Sequence, residues 1–147
     1  MNTAATLQQT IHSRIPLSRA MGFTIVTLDD EHIHASAPLE PNLNIHGTAF
    51  AGSLYAVATL TAWALAYHWL ERLPFATELV LGRADIRYRQ PVQGELHCRL
   101  QPEAETRTRF LQAVEQQGRG QLTLAVGINE AAIWQGRLVA LQREQPA

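Results

Sequence analysis

The residues with the clearest capacity for chemistry form a short loop, Asn42-Leu-Asn-Ile-His-Gly-Thr48. Asn44 and His46 stand two positions apart, so an extended backbone would project both side chains to the same side. Gly47 lets a ligand approach the main chain closely, because no Cβ intervenes. A helix is predicted to begin at Gly47, and the free amides at a helix N-terminus favour negative charge. Such a cluster could stabilise a carbonyl oxygen in a tetrahedral transition state, or Asn44 or His46 could simply cap the helix.

The composition excludes several other kinds of chemistry. All twelve cationic residues are arginine, so Schiff-base catalysis and a lysine in a phosphate-binding loop are excluded. The net charge of −1 gives no basic field that would attract nucleic acid. The single cysteine, Cys98, can form neither an internal disulfide nor a multi-cysteine zinc site. His32 and His34 share a strand face, but two ligands without a third make no metal site, so neither a metal nor a cofactor is expected.

The length of the chain predicts a single domain over residues 1–147, with an N-terminal helical segment at 1–20. The start of the chain is polar and lacks an apolar signal core, which predicts a cytoplasmic protein. No Asp, Glu, Lys or Arg occurs between Glu40 and Glu71, and the apolar stretch at 47–72 is long enough to span a bilayer. Its scattered Ser, Thr and His residues favour a central buried helix over a membrane span.

The rest of the chain is predicted to form strands and one further helix. The strands cover 23–28, 32–37, 79–88, 95–100, 121–128 and 132–141, and the helix covers 102–117. In the third strand, alternation puts Arg83, Asp85, Arg87 and Arg89 on one face and Val80, Gly82, Ala84, Ile86 and Tyr88 on the other. This order of elements predicts an α+β fold in which a sheet curls around one long helix.

Two segments carry a resemblance to a known family. The stretch Asn42-Leu-Asn-Ile-His-Gly-Thr-Ala-Phe-Ala-Gly-Ser-Leu-Tyr55 resembles the loop-to-helix motif of hotdog-fold acyl thioesterases. It is most similar to the thioesterase family typified by the YiiD C-terminal domain. Ile86-Arg-Tyr-Arg-Gln-Pro-Val92, followed by Gly94, is similar to that family's next strand and turn. The similarity extends from about residue 15 to residue 141.

The resemblance implies a hotdog fold, a curved antiparallel sheet wrapped around one long buried helix. It also implies homo-oligomers, either dimers or tetramers, with sites at the subunit interface. In such sites the amide at the Gly47 position polarises the thioester carbonyl, while Asn44 and His46 shape the acyl site and orient water or the carbonyl. Many hotdog thioesterases have His-Gly-Gly and then an acidic residue in the helix. Here Thr48 replaces the second glycine and no acid precedes Glu71, so catalysis must use a different base, a weakly activated water, or no base.

Other residues are candidates for the missing functions. Asp85 is the best substitute acid, since it follows the helix and lies between Arg83 and Arg87, although a surface ion pair is the plainer interpretation. Arg87 and Arg89 could hold coenzyme A phosphates at a rim, or form a solvated strand face. The remaining candidates for lining the substrate pocket are Thr48, Ser53 and Tyr55.

Three functions follow from these features. The first is hydrolysis of an acyl thioester carried by coenzyme A or an acyl carrier protein, with no nucleic acid or membrane partner. The second is a binding module for the same ligands without turnover, which the missing helix acid favours. The third is a hotdog dehydratase or hydratase, which needs an acid–base pair, and His46 has no obvious carboxylate partner.

Overall fold

A computed structural model describes residues 3–144 of the protein, so Met1, Asn2 and residues 145–147 of the predicted domain lie outside it. The helices are α1 (Ala4–Arg14), α2 (Pro16–Met21), α3 (Ala51–Leu70) and α4 (Ala104–Gln117), with a short 3₁₀ turn at Glu40–Asn42. The strands are β1 (Thr24–Leu28), β2 (Ile33–Ala37), β3 (Thr77–Tyr88), β4 (Leu96–Leu100), β5 (Arg119–Ile128) and β6 (Ala132–Gln142). They form one six-stranded sheet in the order β1-β2-β4-β5-β6-β3, with every neighbouring pair antiparallel.

The long helix α3 lies against this sheet as the sequence predicts. It contacts β2, β3, β4, β5 and β6, and its buried positions fall around most of its circumference. Many of those positions are alanine, including Ala58, Ala62 and Ala66, and small side chains let strands approach the helix axis closely. No helix within residues 3–144 is long and apolar enough to cross a membrane.

The predicted start of α3 at Gly47 is wrong, since the helix begins at Ala51 and ends at Leu70 rather than spanning 47–72. Gly47 has φ +81°, a left-handed conformation that a right-handed helix cannot include. Phe50 is the N-cap, in an extended conformation. The amide of Ala49 donates to the Val92 carbonyl at 2.9 Å, so the chain before the helix is tied to another loop.

The long strand β3 also departs from the predicted alternation. Its pairing with β6 shifts between Leu81 and Arg83, which makes Gly82 a bulge where two residues oppose one. Because a bulge reverses the alternation, Leu79 and Leu81 pack inward, whereas Val80 is 50% exposed. The prediction that Val80 shares a face with Ile86 is therefore wrong.

The two edge strands of the sheet, β1 and β3, differ in how far other elements cover them. At the β1 edge, helix α1 packs on the strand and the Gln8 Oε1 accepts from the Ile25 amide at 2.8 Å. At the β3 edge the indole of Trp63 donates to the Leu79 carbonyl at 3.0 Å. Within residues 3–144 no other element pairs with β3 on this side, which leaves a twelve-residue strand open.

Candidate active site

The loop between the 3₁₀ turn and α3 is built around the side chain of Asn44. Its Nδ2 donates to Thr48 Oγ1 at 2.8 Å and to the Ala49 carbonyl at 3.3 Å. Its Oδ1 accepts from the amides of His46 at 2.8 Å and Thr48 at 3.1 Å. These bonds close a compact turn, so the extended backbone assumed for Asn44 and His46 is wrong. Asn44 does not cap α3; its side chain holds the loop together.

The tip of this loop is open to solvent. Ile45 is 94% exposed, and a Cβ placed on Gly47 would meet nothing within 4 Å. The Gly47 amide donates to the Asn44 carbonyl at 3.3 Å, a long bond that a better acceptor could displace. His46 is exposed, and its imidazole makes no hydrogen bond to any residue within 3–144. The tip therefore exposes the imidazole of His46 and the amide of Gly47, which is only weakly hydrogen-bonded.

The first turn of α3 supplies two further donors. The amides of Ala51 and Gly52 have no acceptor among the described residues, as expected for the start of a helix without a side-chain cap. The ring of Phe50 lies over Gly52, since a Cβ there would come within 2.5 Å of it. Phe50 is itself 54% exposed, so an apolar ring borders these amides on the surface. Donors next to an apolar surface suit a ligand that is part carbonyl and part hydrocarbon.

The end of β3 meets the start of α3. Tyr88 Oη donates to the Ala51 carbonyl at 2.8 Å. Burial, followed by the nearby Tyr55, raises the pKa of Tyr88 above its ordinary value, so the phenol remains a donor at neutral pH. Sequence reasoning missed Tyr88 as a site residue. The sequence offered one indication of this role. Tyr88 is the last residue of the predicted strand 79–88 and lies in the segment 86–92 that carries the family resemblance.

The substrate-lining candidates are partly in place. Thr48 Oγ1 is already occupied by Asn44, so Thr48 stabilises the loop. Ser53 lies half-buried in the first turn of α3, and its hydroxyl has no partner among residues 3–144. Tyr55 is half-buried beside Tyr88. Ser53 and Tyr55 thus adjoin the free amides.

The charged candidates lie on the other face of the sheet. Asp85 pairs with Gln135 of β6 and is exposed, while its neighbours Ala84 and Ile86 pack inward toward α3. The expected ion pair with the flanking arginines is also not formed, because no cation among residues 3–144 lies within ion-pair distance of Asp85. Within this chain the structure does not bring Asp85 to the Asn44–Gly47 loop. Arg87 shares the outer face with Asp85.

A stripe of half-buried side chains leads away from the site along α3. Tyr55, Thr59, Trp63 and Tyr67 recur every four residues, so each lies beside the next in a stripe that winds gradually around the helix. Trp63 and Tyr67 stack with ring centroids 4.8 Å apart. They also line a cavity of about 570 Å³ between α3, α1 and β3. The stripe therefore runs from the start of α3 toward this cavity, which is lined by both apolar and charged side chains near the other end of the helix.

These features define a class of protein. A long helix against a curved six-stranded antiparallel sheet is the hotdog fold, and structures with this fold match the chain closely. A protein of unknown function from Chlorobaculum tepidum TLS has a TM-score of 0.89 and 27% identity, covering 95% of this chain and 94% of its own. A "putative thioesterase" from Shewanella oneidensis has a TM-score of 0.82 and 31% identity, covering 94% and 96%. A thioesterase from Haemophilus influenzae, at 14% identity and a TM-score of 0.72 over 97% and 92%, shares the fold.

The family follows from the sequence match itself. Residues 4–142 match the family described as "Putative thioesterase (yiiD_Cterm)". The chain belongs to this family, and the resemblance seen in the sequence is confirmed. Family and fold together support a thioesterase-like function.

Proposed function

We propose that the protein hydrolyses acyl thioesters carried by coenzyme A or an acyl carrier protein. The observation that carries this proposal is the pair of unpaired amides at Ala51 and Gly52, beside the Gly47 tip, in a chain of a thioesterase family. A thioester oxygen gains negative charge when its carbon becomes tetrahedral. Amides fixed at a helix start stabilise that charge without reorganising.

The proposed reaction uses backbone amides at the start of α3 and the side chain of His46. The carbonyl oxygen binds at the start of α3, with the Gly47 amide as an additional donor. Water adds to the carbonyl carbon and gives up a proton. The carbon–sulfur bond then breaks, and the sulfur takes up that proton and leaves as a thiol. His46 is the only titratable side chain in the loop and carries that proton from water to sulfur. Asn44 acts on the reaction through the loop that it holds.

The acyl chain has a path along α3. Its apolar tail follows the stripe of Tyr55, Thr59, Trp63 and Tyr67 defined above. Trp63 lies twelve residues after Ala51, roughly 18 Å along the helix at 1.5 Å per residue. The cavity at that distance supports acyl groups of medium or greater length. Ser53 and Tyr55 then line the pocket next to the carbonyl.

We also propose that the active form is a homodimer built on the open edge of β3. Leu79, Leu81, Ala84 and Ile86 are only half-buried on the inner face of this strand, so a second copy would complete their burial. Val80→Glu should shift the protein to monomer in light scattering, because the two-fold copies would face like charges across the edge. Leu17→Glu, at an exposed position on α2, is the control. If both variants keep the wild-type mass, β3 is not the interface.

A thiol-release assay across acyl-coenzyme A chain lengths tests the hydrolase proposal. We expect turnover that rises with acyl length and falls at least tenfold in His46→Ala, since general acid–base catalysis contributes about 10²–10⁴-fold. Ile45→Ala, at the neighbouring exposed position, should keep wild-type activity. Turnover unchanged in His46→Ala removes the histidine from the reaction, and no thiol release from any thioester refutes hydrolysis.

One observation favours a second function, an acyl-thioester binding module without turnover. Helix α3 has no acidic residue, and the nearest substitute, Asp85, faces away from the loop. Calorimetry separates the two functions. Binding of acyl-coenzyme A without thiol release over hours selects the binding module.

A further inference from the structure

A second cavity lies on the outer face of the sheet, and its lining contains no residue of α3. It encloses about 430 Å³, and its lining includes Arg89, His97, Arg99, Gly127 and Asn129. Arg99 of β4 lies opposite Gly127 of β5, where a Cβ would meet nothing within 4 Å. The glycine therefore leaves room in front of the Arg99 guanidinium.

The two arginines of this cavity are free to bind an anion. No carboxylate among residues 3–144 lies within ion-pair distance of Arg89 or Arg99. One acidic side chain, Glu130, shares the lining, so the two guanidinium groups leave an excess positive charge. Burial, and then the charge of Arg99, lowers the pKa of His34 on the adjacent strand β2. The positive charge of Arg99 thus acts on His34, the residue opposite it on β2.

The base of the cavity is rigid. Asn129 Oδ1 accepts from the His97 amide at 2.7 Å, and Asn129 Nδ2 donates to the Glu95 carbonyl at 2.8 Å. Asn129 and Glu130 both have positive φ in the β5–β6 turn. The Arg89 amide donates to the Ala131 carbonyl at 2.8 Å, which fixes the start of that side chain. A ligand would meet preorganised partners, and preorganisation lowers the cost of binding.

The segment 88–92 connects the cavity to the proposed thioester site. Arg89 follows Tyr88, whose hydroxyl reaches the Ala51 carbonyl at the start of α3. Three residues further on, the Val92 carbonyl accepts from Ala49, next to the catalytic loop. The segment 88–92 therefore runs from one site to the other. A ligand with a thioester at one end, a flexible arm and phosphates at the other could occupy both.

We propose that this cavity binds the phosphates of a nucleotide-bearing thiol, so that the substrate is an acyl-coenzyme A and not an acyl carrier protein. The inference rests on the proposed thioester site for the other end of the ligand. Of the two arginines named from the sequence, Arg89 lines this cavity and Arg87 does not, and Arg99 is a new candidate. Guanidinium groups suit phosphate because their planar donors bind two oxygens at once.

Binding can be tested without any turnover. Calorimetry would compare coenzyme A with pantetheine, which lacks the phosphates, on the full chain. We expect wild-type protein to bind coenzyme A about tenfold more tightly or better, since charged hydrogen bonds are the strong ones. The double variant Arg89→Gln/Arg99→Gln should lose that preference. Gly127→Asp, which places a carboxylate in the open space, should lose it as well.

Arg137→Gln is the control. It removes one positive charge from the outer face, where the double variant removes two, and it lies opposite Arg83 on the neighbouring strand and outside the cavity lining. This variant should keep the full preference for coenzyme A. Equal binding of coenzyme A and pantetheine by wild type overturns the inference. So does a preference that survives both the double variant and Gly127→Asp.

Turnover separates this inference from the proposed hydrolysis. If acyl-coenzyme A and acyl-pantetheine are hydrolysed equally well, hydrolysis stands and the phosphate site fails. If neither is hydrolysed but the binding preference follows the variants, the phosphate site stands and hydrolysis fails. Hydrolysis of an acyl carrier protein that the double variant leaves unchanged, with no binding of coenzyme A, selects the carrier and overturns the inference.

Discussion

Replacement of Asn44 by alanine tests whether one side chain holds the catalytic loop. The substitution removes two donated and two accepted hydrogen bonds at once. Each such bond contributes about 0.5–1.5 kcal/mol net, and water can replace part of the loss because the site is half-buried. We therefore expect a loss of about 2–3 kcal/mol, which corresponds to roughly 5–10 °C in Tm for a chain of this size.

Two measurements decide the outcome for Asn44→Ala. Calorimetry should show the fall in Tm, and hydrogen exchange should speed up at the amides of His46 and Thr48, which lose their acceptor. Asn44→Asp keeps the acceptor oxygens and loses both donors, so it should lose about half as much stability. Ile45→Ala should change neither quantity. Wild-type exchange rates in Asn44→Ala would show that the loop is held by something else.

Three further predictions follow from single positions. Gly47→Ala should cost roughly 1–2 kcal/mol from φ +81° alone, while Gly94→Ala, equally free of contacts, should cost less; equal Tm shifts would contradict this. Burial raises the pKa of Cys98 to about 12, so a thiol reagent at pH 8 should label it only after denaturation; rapid labelling of folded protein would refute its burial. The Arg72 guanidinium holds the pKa of Asp30 below its usual 3.8, so the stabilisation is present above that pH and is lost as pH falls through the lower folded value. The Tm difference between wild type and Asp30→Asn should accordingly shrink from pH 7 to pH 2.5, and a constant difference would argue against the pair.

The regular elements were predictable because burial patterns determine them. Helix α3 is apolar all round, and such a helix must be wrapped by other elements. The predicted strands 121–128 and 132–141 leave a short gap, and the observed turn lies there, with positive φ at Asn129 and Glu130. Helix α2 begins at Pro16, whose fixed φ suits the first position of a helix. In each case the local preference agrees with the packing.

The details that position the site were not predictable in the same way. The four-residue error at the start of α3 arises because Ala49 and Phe50 are compatible with a helix, but their amides donate to Val92 and Asn42 instead, and Phe50 is extended. The face of Val80 depends on the Gly82 bulge, and nothing in the local alternation marks a bulge except the glycine itself. Both errors come from long-range pairing that overrides a local pattern.

The balance between hydrolysis and simple binding depends on how far His46 is shielded from water. An oxyanion donor contributes about 10²–10³-fold to a rate, and a proton-transfer group about 10²–10⁴-fold. The donors at Ala51 and Gly52 are built by this chain alone, whereas no side chain among the described residues 3–144 orients the His46 imidazole. A second copy seated on the β3 edge would desolvate the same end of α3 and strengthen every electrostatic contact there. We therefore expect catalysis to require the dimer, because a monomer would retain the donors at Ala51 and Gly52 without an enclosed site around them.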